Sequence, residues 1–89
     1  MKIKRGFKLR TVGNEHIVTG EGLEQIDFNK LIALNSSATY LWQLVEDKEF
    51  EIQTLAELLT SKYNIPTKQA LTDATDIANS WIEAGIVEK

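Results

Sequence analysis

The chain has 89 residues, 43% hydrophobic and 26% charged, with one histidine and no cysteine. That composition belongs to a small folded domain and excludes disulfides, thiolate nucleophiles and cysteine-built zinc sites. Net charge is −3 but unevenly spread: Lys2, Lys4, Arg5, Lys8 and Arg10 give the first ten residues +5, and the other seventy-nine carry five basic against thirteen acidic groups, a net of −8.

The basic start lacks the apolar core of a secretory signal, and no apolar run is long enough to span a bilayer. A cytoplasmic location away from membranes is expected. Phe7–Val12 then alternates, with Phe7 and Leu9 against Lys8 and Arg10, as a half-buried strand does. Gly13-Asn14 predicts a turn and residues 16–19 the return strand of a hairpin. Gly20-Glu21-Gly22 breaks it. Ile26 and Phe28, two apart, predict a further strand within residues 23–28, and after Asn29-Lys30 comes the strand Leu31–Leu34. One longer strand with a bulge is the alternative.

Asn35-Ser36 joins that last strand directly to a helix whose apolar face is Ala38, Leu41, Trp42 and Val45, at i, i+3, i+4 and i+7. Asn35 or Ser36 can accept from the first free backbone N–H groups of this helix. Residues 46–51 form a connection with Phe50 tucked beneath it. A second helix carries Ile52, Leu55, Leu58 and Leu59, starting at Ile52 or at Leu55, and Thr54 with Glu57 fits a capping box. Asn64-Ile65-Pro66 ends it, because proline disfavours helix in the residue before it. Thr67 is expected to cap a third helix running through Ala84, with Gly85 as its stop and Ile86-Val87 folding back on the core. The class is α+β: a small antiparallel sheet of three to four strands, then three helices, winged-helix-like, in one domain over residues 1–89.

The order of Leu34-Asn35-Ser36-Ser37-Ala38 and Leu41-Trp42, then Tyr63-Asn64-Ile65, then Trp81-Ile82-Glu83-Ala84-Gly85-Ile86-Val87 resembles the PqqD-like family, which takes its name from coenzyme PQQ synthesis protein D. The likeness covers nearly the whole chain. It implies a module without catalysis or cofactor that binds the leader segment of a ribosomally made precursor peptide. The leader adds as an extra strand and is presented to a modifying enzyme, often a radical S-adenosylmethionine enzyme. Carried onto this chain, the edge strand is Leu31–Leu34 and the groove helix spans residues 70–81. The chain has Asn29-Lys30 where relatives often show asparagine-glycine, and its segment of residues 20–29 is longer than the founding member's.

Strand addition uses the unpaired N–H and C=O groups of a sheet edge. Backbone pairing alone is insufficient, since each net hydrogen bond contributes about 0.5–1.5 kcal/mol while ordering each peptide residue costs about 1–2 kcal/mol. Side-chain pockets must supply the rest. Ala70, Ala74 and Ala78 make a ridge of small residues flanked by Ile77 and Trp81 on one side and Leu71 and Ile82 on the other. It reads either as a peptide trough or as a site of close helix approach. Of the strand residues, Ile32 and Leu34 are expected in the core, and Leu31 and Ala33 on the peptide side. Trp42 is expected in the core; Trp81 is the better lining residue.

His16 has no acid or nucleophile partner in the pattern and reads as a strand histidine with an ordinary hydrogen bond. Asp73, Asp76, Glu46 and Asp47 read as solvated helix faces. DNA binding is the competing function. However, the third helix carries Lys68 against Asp73, Asp76 and Glu83, and phosphate would be repelled by it, so no nucleic-acid partner is expected. A structural adaptor or a homodimer paired through the same sheet edge is the other alternative.

Overall fold

The computed structural model describes residues 1–20 and 31–88, so the strand expected within residues 23–28 lies outside the described residues. The elements are β1 (Lys2–Ile3), β2 (Phe7–Val12), β3 (Glu15–Gly20), β4 (Leu31–Leu34), α1 (Ser36–Val45), α2 (Ile52–Lys62), α3 (Thr67–Glu83) and β5 (Val87–Glu88). Strands β2, β3 and β4 form one antiparallel sheet in that order, while β1 and β5 pair antiparallel as a separate ribbon. The α+β class and the order of sheet then helices are as the sequence predicts. Among the described residues no helix is long and apolar enough to cross a membrane.

The hairpin β2–β3 turns on Gly13-Asn14, with Val12 opposite Glu15. Gly13 has φ +63° and Asn14 does not share the positive sign, the φ pattern of a type II′ turn, which needs glycine at its first central position. The register puts Phe7, Leu9, Val18, Ile32 and Leu34 on one face and Lys8, Arg10, Val12, Ile17 and Ala33 on the other. The helices lie on the first face: Phe7, Val18 and Leu34 are buried there with Leu41, Trp42, Leu55 and Leu59.

Helix α1 starts where the sequence predicts, the Ala38 N–H donating to Asn35 Oδ1 at 2.8 Å. Its face of Ala38, Leu41, Trp42 and Val45 is buried as the spacing requires. Phe50 is likewise buried under the connection.

Two helix starts differ from expectation. The capping box of α2 is Glu51 with Thr54 rather than Thr54 with Glu57. The Glu51 N–H donates to Thr54 Oγ1 at 3.1 Å, because the apolar phase that buries Leu55 and Leu59 brings Ile52 into the helix and moves the cap one turn earlier. Thr67 is the first residue of α3 rather than its cap; Pro66 holds the cap position with φ −62° and ψ 148°. Its carbonyl accepts from the Ala70 N–H at 3.0 Å, and its missing donor is lost where no intrahelical bond would use it.

Helix α3 ends in a Schellman motif. Gly85 has φ +77°, its N–H bonds the Ile82 carbonyl at 3.0 Å, and the Ile86 N–H bonds the Trp81 carbonyl at 3.1 Å. The reversal drops Ile86, fully buried, beside Trp81 and aims Val87 at β1, where it faces Ile3. Lys4 N–H to Ile86 O at 2.9 Å and Phe50 N–H to Met1 O at 2.8 Å complete the attachment. The basic N-terminal residues are therefore held in structure by β1, a strand the two-residue apolar pattern did not reveal.

Candidate functional site

A cavity of about 260 Å³ opens between β4 and the second half of α3. Ile32, Ala33 and Leu34 form its strand wall and Ile77 and Trp81 its helix wall, with Ala38 and Asn35 at the start of α1 and Asp76 and Ser80 also lining it. A neighbouring depression shares Ala33, Leu34 and Asn35 and continues toward Glu15 and His16 at the end of the hairpin. The two together make a shallow groove along β4.

The strand side has a defined hydrogen-bonding direction. In a type II′ turn the first residue's carbonyl bonds the fourth residue's N–H, so the Val12–Glu15 pair turns inward on the hairpin and the backbone groups of successive β3 residues alternate sides. His16 and Val18 then direct theirs to Leu34 and Ile32 of β4. Leu31 and Ala33 are left with N–H and C=O groups aimed at the open side, and among the described residues β4 pairs only with β3. No described strand covers the edge there, and Ala33 is exposed.

The apolar floor is rigid. Trp81 is only 2% exposed yet lines the cavity with one edge of its surface. Its ring meets Trp42 edge-to-face at 5.5 Å and 83°, and Phe50 at 6.2 Å and 85°. Such pairs contribute about 0.5–1.5 kcal/mol each beyond their buried area. The Trp42 indole N–H donates to Glu46 Oε2 at 3.0 Å.

Five predicted site residues, Ile32, Ala33, Leu34, Ile77 and Trp81, come together here. Leu31 extends the same edge. Ala70, Ala74 and Ala78 do not line the cavity: they are 0%, 0% and 1% exposed. The small-residue ridge is thus closed by the protein's own core, and it belongs to the helix that packs chiefly on α2. Small side chains there let two backbones approach, which is the other reading of the ridge. The groove uses the face of α3 that carries residues 76, 77, 80 and 81, turned by roughly a quarter of a turn from the alanines.

The strand faces need a correction as well. Ile32 and Leu34 are on the core face as expected, but at an edge strand the core face is also the groove wall, so both line the cavity. Leu31 and Ala33 serve the open side through backbone groups. Asn35, Ala38, Asp76 and Ser80 were not anticipated as lining residues; the i, i+1, i+4, i+5 spacing of Asp76, Ile77, Ser80 and Trp81 was the available signal. His16 makes the ordinary contact expected of it, its Nδ1 lying 3.1 Å from Thr11 Oγ1.

No curated protein sequence matches the chain. A solved structure described as TbiB1 in complex with the TbiA(beta) leader peptide superposes with a TM-score of 0.77 at 14% identity, over 99% of this chain and 95% of that one. The two share a fold. The family model for coenzyme PQQ synthesis protein D matches residues 15–87, from the first residue of β3 to the first of β5, and with that span covered the chain belongs to the PqqD family.

Proposed function

We propose that this chain is a non-catalytic peptide carrier: it binds the leader segment of a ribosomally made precursor peptide and presents it to a peptide-modifying enzyme, radical S-adenosylmethionine enzymes being the class the family resemblance favours. The leader adds as a strand to β4, exchanging hydrogen bonds with Leu31 and Ala33. Its inward-facing side chains enter the groove between Ile32 and Leu34 on one wall and Ile77 and Trp81 on the other. The carrying observation is the coincidence of an open, correctly phased strand edge with an apolar groove over a fixed aromatic floor. A shape already formed spares the complex part of the ordering cost. Membership of the PqqD family and likeness to a chain solved with a leader peptide support the same reading.

The cavity of about 260 Å³ between β4 and α3 holds one or two side chains of the peptide, and the backbone edge does the rest. The unit acts in the cytoplasm, where precursor peptides are made.

Calorimetric titration with the leader segment of a short peptide encoded beside the chain's gene tests the proposal. Saturable one-to-one binding with a negative heat-capacity change is expected, the mark of apolar burial. Absence of binding to any such leader, together with concentration-dependent association of the protein alone, would instead favour a homodimer paired through β4.

A further inference from the structure

The carboxylates around the groove face no cation. Among the described residues, Asp76 is the charged side chain lining the cavity between β4 and α3, and Glu15 lines the depression that continues it, beside His16. The elements that frame the groove do not offset them. Strand β4 and helix α1 carry no charged residue, and α3 holds Lys68, roughly two turns before Asp76, against Asp73, Asp76 and Glu83. Lys8 and Arg10 stand on the opposite face of the sheet. Asp73 already accepts from Gln69 Nε2 at 2.9 Å. Asp76, by contrast, is exposed, and among the described residues it makes no hydrogen bond or ion pair.

We infer that the groove selects a leader segment with a lysine or arginine two residues from its apolar anchor, and that Asp76 is the residue that reads this cation; the inference rests on the carrier reading above. Helix α3 presents two rows to the groove, Ile77 and Trp81 being apolar and Asp76 and Ser80 polar. The wall matches an added strand in length. Residues 76–81 rise roughly 7.5 Å along the helix axis, and successive inward side chains of a strand lie roughly 6.6–6.8 Å apart. Two such side chains therefore fit, one seated on Ile77 and Trp81 and the next beside Asp76. A lysine or arginine in the second place lays its aliphatic stem along the apolar row and carries its charged head to the carboxylate at the rim. The peptide's own bulk displaces water there, which strengthens the pair beyond an open surface contact. An acidic residue in the same place would be repelled, so the site discriminates by rejection as well as by attraction.

The test is an amide NMR titration of the labelled full chain with three nine-residue threonine peptides. Each has leucine at its centre, to fix the register, and the same residue two places to either side of it: lysine, glutamine or glutamate. Saturable shifts at β4 are expected, with the lysine peptide binding about fivefold or more tighter than the glutamate peptide. Asp76→Asn should bring the two affinities closer together, and Asp76→Lys should reverse their order. Glu83→Lys, an equal change of charge at an exposed position of α3 outside the groove, should leave the order as it is. Equal affinities for the three peptides, no shift at β4 with any of them, or a Glu83→Lys effect as large as that of Asp76→Lys would overturn the inference. The carrier reading fails separately: the lysine preference would persist, but the leader segment encoded beside the gene would not bind the wild-type protein.

Discussion

Ala33→Pro separates the peptide-accepting edge from the fold that carries it. The Ala33 N–H points to the open side of β4, since the hairpin register gives Ile32 and Leu34 to β3. Proline on an edge strand with its nitrogen facing outward removes no ladder bond, and its restriction of the preceding residue favours the extended conformation Ile32 already has. The sheet should hold. An added peptide, however, would lose the N–H of Ala33, and the ring would push it away from the carbonyl of the same residue. Two hydrogen bonds at about 0.5–1.5 kcal/mol each amount to about 1–3 kcal/mol, or a rise in Kd of about 5- to 140-fold. Calorimetry with the leader segment reads the affinity, and thermal unfolding reads the fold. A folded variant that binds the leader as tightly as the wild type would refute the assignment of β4 as the accepting edge.

Other positions separate packing from recognition in the same way. Ile77→Glu, at a half-buried groove position, should abolish measurable leader binding while the unfolding midpoint in urea moves little. Ala74→Leu should do the reverse: with no exposed surface to begin with, the added methyl groups overpack α3 and destabilise by about 1–3 kcal/mol, measured by urea unfolding. Gly85→Ala puts a β-carbon on a residue at φ +77° and should cost about 1–2 kcal/mol, seen as a lowered midpoint together with faster amide exchange at Ile86 and Val87. Asn35→Ala removes the bond to the Ala38 N–H and should cost about 0.5–2 kcal/mol.

The sequence makes the helices legible because each carries a long apolar period. Ala38, Leu41, Trp42 and Val45 are enough to phase α1, and Asn35 is enough to start it. The cap residues of α2 and α3 were less legible because several residues able to cap stand close together in 51–54 and 66–67. Burial of Leu55 and Leu59 decides between them, and burial is a tertiary fact. Strands β1 and β5 have two residues each, too few for a period; their pairing follows from the Gly85 reversal, which sequence marks as a stop without giving its direction.

The site was half legible for a related reason. In the sequence Ile77 and Trp81 read as walls of an alanine trough; they are walls of the neighbouring groove instead. A stripe of small residues has the same spacing whether it is filled by a ligand or by an adjacent helix. On β4, alternation separates the two faces correctly but does not say that an edge strand shows its core face to whatever binds beside it. The accepting role of Ala33 lies in its backbone, which no side-chain pattern reports.

The central claim, that β4 and α3 together receive a leader peptide, is tested most directly by residue-resolved amide NMR titration of the labelled protein with that peptide. The account predicts saturable shifts concentrated at Leu31, Ile32, Ala33 and Leu34 and at Ile77, Ser80 and Trp81, with Ala70 little changed. Saturable binding whose shifts fall elsewhere, on α2 or the β1–β5 ribbon, while β4 stays silent, would contradict it.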